Sequence, residues 1–308
     1  YKSEHTDYNI VDGTPFGRDI LKELADECQK QDIKLGLYYS QTQDWHHPDG
    51  DGNTWDFDES EKDFDSYIEN YVKPQVTEIL TQYGPICLIW FDTPKGISEE
   101  QSRSLLNLVH ELQPDCLVCG RLGNALGDYA TAQDNAIPAD LLRDLDWETP
   151  ATINDTWGYK THDHNWKSTE TLIKYLVDIV SKGGNYLLNI GPDSEGNVPE
   201  PSVERLQEMG QWMDANGDAI YGTRPGPIQG LDWCRTTVKD DIVYLHIFEW
   251  NNDGKFVLPQ MKIKSAYWLD KSISEDLSVV SEADHVLIQG PATMPAKPVT
   301  VICLQIEK

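Results

Sequence analysis

Basic charge and long apolar runs are what this 308-residue sequence has least of. Lys and Arg number 25 against 52 Asp plus Glu, a formal charge of −27 at pH 7. An acid excess of that size repels phosphate, which argues against nucleic acid or an anionic membrane as a partner. No apolar stretch approaches the roughly 20 residues of a membrane-spanning helix, and no signal peptide is visible. The six cysteines, at 28, 87, 116, 119, 234 and 303, are scattered, mostly inside apolar runs, so free buried thiols are expected. Cys116 and Cys119 sit within a strand-like Cys-Leu-Val-Cys, where alternation sends them to opposite faces, a poor metal or redox arrangement. No internal repeat or low-complexity run appears. Aromatic residues, by contrast, are plentiful: ten Trp and fourteen Tyr. Carbohydrate sites use such rings, and so do ordinary cores.

The length exceeds one ordinary domain, and two domains are the first expectation. From Phe16 to about Gly222, amphipathic segments alternate with short apolar runs, the signature of βα units around a parallel sheet. Helices are predicted over Phe16 to Gln31, Glu61 to Tyr83, Ile97 to Leu112, Ser168 to Ser181 and Glu200 to Asn216. Strands are predicted over Ile33 to Ser40, Ile86 to Asp92, Asp115 to Arg121, Trp147 to Ile153, Asn185 to Ile190 and Ala219 to Gly222. Those six or so strands make a (β/α)8-like barrel that is N-terminally incomplete, since eight strands would need two more ahead of Tyr1. After the Pro/Gly-rich Thr223-Arg-Pro-Gly-Pro227, short strands follow at close spacing, as in an antiparallel β-sandwich. The expected division is therefore an α/β catalytic domain over 1–222 and a β-sandwich domain over 223–308. Asp49-Gly-Asp-Gly-Asn53 reads as a mobile polar loop.

Ile86-Cys-Leu-Ile-Trp-Phe-Asp92 is the most informative stretch, because six apolar residues end abruptly in a carboxylate. A run that short reads as a strand buried on both faces, and its C-terminal end is where α/β barrels put their chemistry. Asp92 could equally cap the helix that follows. Four further clusters lie at presumed strand ends or in adjoining loops. Tyr38-Tyr39-Ser40 offers hydroxyls to a sugar or half-buried rings to the core. The neighbouring His46-His47 lacks a third ligand at zinc spacing. Arg121 presents a rigid fork of donors to a hydroxyl, a carboxylate or solvent. Gly127 to Asp134 is a polar loop with two carboxylates. Finally, Glu148 of Trp147-Glu-Thr149 stands beside an indole that could raise its pKa for general acid work. Two rim carboxylates from different strands, one ionised and one protonated, make the apparatus of a glycosidase.

Taken in order, these segments resemble the α-L-fucosidase family of retaining glycoside hydrolases. The carrying stretches are Asp7 to Asp12, Lys34 to Ser40, Tyr83 to Asp92, Trp147-Glu-Thr149 with Asn154 to Tyr159, Gly184 to Pro192 and Asn216 to Pro225. The resemblance implies that Asp92 is the nucleophile, that Tyr39, Trp90 and Arg121 line the fucose pocket, and that Trp157 belongs to the same wall. It implies Glu148 as the acid/base, with Asp134 as the fallback. No metal or cofactor is implied. The substrate would be a fucosylated glycan or fucoside.

One departure from the family is large. Members begin with two further strands carrying a His and a His-His-Asp-Gly motif, and neither is present here. Open sheet edges invite pairing with other chains, so a homo-oligomer or a complementing N-terminal fragment is expected. The competing reading is a non-catalytic fucose-binding or assembly module.

Overall fold

In the computed structural model, which describes residues 1–139 and 145–307, the chain divides into two units, Tyr1–Thr131 and Ala132–Lys308. The first is built of βα repeats. Helix α1 (Ile20–Lys30) leads into strand β1 (Leu35–Ser40), α2 (Phe64–Tyr67) and α3 (Lys73–Gln82) lead into β2 (Ile86–Asp92), and α4 (Glu99–Leu112) leads into β3 (Leu117–Val118). A short strand, β4 (Ala130–Thr131), closes the unit. β1, β2 and β3 lie side by side in that order and are parallel. The core is what the apolar runs demanded: Leu35 and Leu37 of β1, Ile86, Ile89 and Phe91 of β2, Val76 and Ile79 of α3, and Leu105 and Val109 of α4.

Local chemistry sets the boundaries. α1 starts at Ile20 rather than Phe16, because the Asp19 carboxylate accepts from Leu21 N and Lys22 N. α4 starts with a capping box between Ser98 and Gln101. The long helix expected over Glu61 to Tyr83 is broken. Pro74, at the second position of α3, has no N–H to return to Asn70, and the chain widens into a π turn over Ile68–Val72 in which Lys73 N bonds to Ile68 O. The strand expected over Asp115 to Arg121 is only Leu117–Val118, since Gly120–Leu122 tightens into a 3-10 turn.

In the second unit, β5 (Trp147–Thr152) and β6 (Gly184–Asn189) are parallel neighbours, joined through α5 (Thr169–Ser181) and followed by α6 (Glu200–Asn216). Gly184 lies opposite Trp147, and a Cβ there would come within 2.4 Å of the buried indole. The remainder is β-rich: β7 (Arg224–Pro225), β8 (Cys234–Lys239), β9 (Ile242–Ile247), β10 (Lys255–Pro259), β11 (Ile263–Trp268), β12 (Ser278–Ser281), β13 (His285–Gln289) and β14 (Thr300–Ile306). One antiparallel sheet runs β11-β14-β9-β8-β7 and the other β10-β13-β12. Val243, Leu245, Ile302 and Leu304 of the first share a core with Phe256, Leu258, Val286 and Ile288 of the second. A further core joins Leu172, Val177 and Trp212 of the helices to Tyr244, Val301 and Cys303, so packing continues across the Pro/Gly-rich linker.

Ala219 to Gly222, expected as a strand, instead leaves a 3-10 turn over Gly217–Ala219. β8 was not foreseen, because its Thr236 and Thr237 are buried polar residues whose hydroxyls donate to Ile228 O and Ala219 O. All six cysteines are free, with Cys116, Cys119, Cys234 and Cys303 buried. Among the described residues no helix is long and apolar enough to cross a membrane, and no group of three His, Cys, Asp or Glu could hold a metal.

Candidate active site

Asp92 is the last residue of β2, where the apolar run ends. Its register neighbour on β1 is Ser40, and Tyr38 lies opposite Trp90. Alternation therefore gives Tyr38, Ser40, Trp90 and Asp92 one face of the sheet and Tyr39 and Phe91 the other. The Tyr38 hydroxyl donates to Asp92 Oδ2 at 2.7 Å. Arg121, presented by the turn after β3, donates from Nη1 to Oδ1 at 3.3 Å. Both carboxylate oxygens are thus engaged by donors, which fixes the plane of the group. The Arg121 guanidinium also lies 4.9 Å from the Trp90 ring, and Tyr38 stacks on Trp90 at 5.7 Å with 19° between planes.

Asp92 does not cap a helix. That role belongs to Ser98. The residue after it, Thr93, has φ +56°, which is unfavourable for a β-branched side chain and costs of order 1–3 kcal/mol. Fully buried Gln41 holds the cluster from behind. Its Oε1 accepts from Asp92 N at 2.9 Å, while Nε2 donates to Arg121 O at 3.1 Å and Leu122 O at 3.4 Å. Burial, then the hydrogen bond to Asp92 and its charge, push the Tyr38 phenol well above its ordinary pKa. Tyr38 accordingly remains a donor across the working pH range.

Tyr39, expected in the pocket wall, turns the other way. Its hydroxyl donates to Gln75 of α3 at 2.7 Å, in the core. Tyr38 faces Asp92 in its stead, for the reason of alternation alone.

The second unit carries Glu148, Asp134 and Trp157. Glu148 is the second residue of β5, so it sits where that strand enters the sheet and not at the exit. Its expected apolar neighbour is also on the other face, with Trp147 Nε1 donating to Lys182 O at 3.3 Å. Asp134 lies on a segment running alongside β5 in the same direction. Ala132 N donates to Glu148 O at 2.9 Å and Asn135 N to Pro150 O at 2.9 Å. The Asn135 side-chain oxygen then accepts from Thr152 N and Thr152 Oγ1, at 3.0 and 3.1 Å. Asp134 is therefore nearer the exit end of β5 than Glu148 is. Lys167 secures that end, donating to Thr152 O at 2.6 Å and Asn154 O at 3.3 Å, and burial lowers its pKa. Trp157 is exposed on the loop after β5, where its carbonyl accepts from Asn189 of β6 at 2.6 Å.

The model of the α-L-fucosidase family matches residues 1–218. The chain belongs to that family. An α-L-fucosidase of Dictyostelium discoideum is 30% identical over 267 residues, covering 82% of this chain and 56% of that protein. The crystal structure of an α-L-fucosidase from a Vibrio species superposes with a TM-score of 0.94 at 32% identity, covering 100% of this chain and 57% of that one. An α-L-fucosidase from Lactobacillus casei, solved in complex with α-L-fucose product, has a TM-score of 0.66 at 44% identity, with 71% of each chain covered. The chain spans little more than half the length of the curated fucosidases it matches. Within this fucosidase-family chain, reasoning from the sequence missed Tyr38 as the Asp92 partner and missed Gln41 altogether. Only the register between β1 and β2 separates Tyr38 from Tyr39, and a single Gln after a strand carries no signal.

Proposed function

We propose that this chain is the catalytic portion of a retaining, exo-acting α-L-fucosidase, releasing α-linked L-fucose from glycans by double displacement. The observation that carries the reading is the Asp92 carboxylate at the exit of the parallel strand β2, fixed by Tyr38 and Arg121 beside the face of Trp90. Asp92 attacks the anomeric carbon, and water releases the sugar from the resulting ester. Arg121 and Tyr38 orient the nucleophile, while Trp90 and Trp157 offer flat apolar surface to the sugar. Fucose itself is carried over from the Lactobacillus casei relative's product complex.

For the proton donor, two carboxyls compete, and direction along the strand favours Asp134. Sites in α/β barrels assemble at the C-terminal ends of strands, and Asp134 lies toward that end of β5 while Glu148 lies toward the other. The same proposal takes residues 1–222 as a (β/α) barrel domain and 223–308 as a β-sandwich support. Assembly with a second copy or a complementing fragment belongs to it as well, and native mass spectrometry showing only monomer would remove that part.

The test is hydrolysis of 4-nitrophenyl α-L-fucoside. Wild type should turn it over, and Asp92→Asn should lose about 10³-fold or more in kcat. Azide should restore turnover to Asp134→Ala and not to Glu148→Ala. Rescue of Glu148→Ala instead would return the acid/base role to Glu148, and full activity in Asp92→Asn would end the proposal.

A further inference from the structure

Beyond the Asp92 cluster, the first unit contains a cleft of about 470 Å³ lined by Tyr8, Gln43, Asp44, Trp45 and His46. Its aromatic walls are open. Tyr8 is 70% exposed and Trp45 61%, while Trp55, edge-on to Trp45 at 5.7 Å, is 64% exposed. Tyr8 stacks on His46 at 4.2 Å. Large rings clustered in contact with water mark a binding surface more often than scattered single ones do.

This surface is built rather than loose. Asp51 N donates to Thr42 O at 2.9 Å and Asp44 N to Asp51 O at 3.2 Å, closing the loop after β1 on itself. Fully buried Asn53 donates to His47 O at 2.6 Å and Asp44 O at 3.1 Å, and Lys62 Nζ donates to Asn53 Oδ1 at 2.6 Å and Gly50 O at 2.7 Å. Gly52 has φ +86°, and a Cβ there would stand 3.0 Å from the Trp45 indole nitrogen. The Asp49 to Asn53 segment, read from sequence as a mobile loop, is thus a tied scaffold beneath Trp45. A site held in shape beforehand loses less to ordering when it binds.

The lining selects the ligand. Asp44 Oδ1 accepts from His46 N at 2.8 Å and His47 N at 2.9 Å and so belongs to the scaffold; the aromatic faces beside the Gln43 amide suit a molecule with apolar C–H faces and a rim of hydroxyls, which describes a pyranose. Its place in the fold selects the role. The loop leaves β1 at Ser40, the register partner of Asp92, and Thr42 Oγ1 donates to Thr93 O at 2.5 Å. Gln43 follows Ser40 by three residues, a reach of at most about 10 Å. Given the fucosidase reading, on which this step rests, we infer that the cleft is the subsite for the pyranose from which the fucosyl group is released.

Two measurements test it in this chain. First, kcat/KM is compared for 4-nitrophenyl α-L-fucoside and for fucosyl-N-acetylglucosamine. In Trp45→Ala and in Tyr8→Ala the ratio of disaccharide to aryl fucoside should fall about ten-fold or more, through KM. An unchanged ratio overturns the inference. Second, saturation-transfer NMR with free N,N′-diacetylchitobiose should give a signal with wild type that Trp45→Ala loses at unchanged circular dichroism. No signal with wild type, or an equal one with the variant, also overturns it. Should wild type hydrolyse neither fucoside, the fucosidase reading fails and the NMR result alone decides whether the cleft binds sugar.

Discussion

Replacing Gln41 by Met keeps the side chain's length and removes its amide, which isolates what that amide does. Three hydrogen bonds go, to Asp92 N, Arg121 O and Leu122 O, in a fully buried setting. The stranded N–H is the largest loss, at about 1–3 kcal/mol, and two under-satisfied carbonyls bring the expected destabilisation to about 2–4 kcal/mol. Met fills the volume, so no cavity adds to that. The consequence for chemistry is separate. Gln41 joins the backbone of Asp92 to the backbone that presents Arg121, and misplacing reacting groups by 1 Å costs about 10²-fold.

The molecule contains its own control. Gln113 makes the same three-bond pattern at the other end of β2, accepting from Ile86 N at 2.8 Å and donating to Leu80 O at 2.6 Å and Gly84 O at 3.0 Å. Gln113→Met should therefore destabilise the chain comparably, or somewhat less since Gln113 is only partly buried, and leave the site intact. Urea unfolding measures the first quantity for both variants. Turnover of 4-nitrophenyl α-L-fucoside under conditions where both are folded measures the second. The expectation is a loss of about 10²-fold in kcat/KM for Gln41→Met and less than about three-fold for Gln113→Met. Equal losses in both, or wild-type turnover in Gln41→Met, would refute the claim that Gln41 positions the nucleophile.

Tyr38→Phe should lower kcat/KM by about ten-fold or more, since a hydrogen bond to a charged group is worth about 1.5–3 kcal/mol; Tyr39→Phe, which loses only its bond to Gln75, should shift the urea midpoint and leave turnover near wild type. Gly184→Ala should destabilise by about 1–3 kcal/mol, because its methyl would overlap the Trp147 indole at 2.4 Å, and an unchanged urea midpoint would contradict the packing described. His246, buried and bonded through Nε2 to Thr237 Oγ1 at 3.0 Å, has its pKa lowered by burial to about 3. The unfolded chain takes up that proton near pH 6.5 and the folded chain does not, so its stabilising contribution is complete above 6.5 and is lost as pH falls toward 3. Between those limits it adds about 1.4 kcal/mol per pH unit to the slope of stability against pH, and His246→Gln should flatten that slope in urea titrations at pH 7, 5.5 and 4.5.

What the sequence made legible was the part governed by long apolar patterns. Ile86 to Phe91 had to be a strand ending at Asp92, although it is less buried than its apolar run suggests, with Cys87, Leu88 and Trp90 only half-buried. The βα alternation and the change of texture after Thr223 are likewise written in runs of many residues. What stayed hidden depended on single steps of register or on polar side chains satisfied at a distance. The choice between Tyr38 and Tyr39 turns on which face β1 gives to β2. Gln41 and Thr237 look like loop and surface residues until the groups they bond are known.

The preference for Asp134 over Glu148 has a different basis, and that basis reaches past these residues. A parallel strand has a direction, and only its C-terminal end meets the chemistry, so a carboxylate is informative only when the strand's two ends are identified correctly. Asp92 follows six apolar residues, which fixes it at the exit. Glu148 precedes Thr-Pro-Ala-Thr, a stretch with little apolar content that is nonetheless buried throughout. Trp147 and Glu148 open the strand predicted over Trp147 to Ile153, so this carboxyl stands at the strand's entry. Asp134 looked like an ordinary loop acid by the same logic, because the segment carrying it pairs with β5 through Ala132 and Asn135 without any apolar run of its own. Asn135, locked to Thr152 at the strand's exit, fixes the height of its neighbour on that ladder. It is this backbone placement, rather than any property of the Asp134 carboxyl itself, that makes it the better candidate.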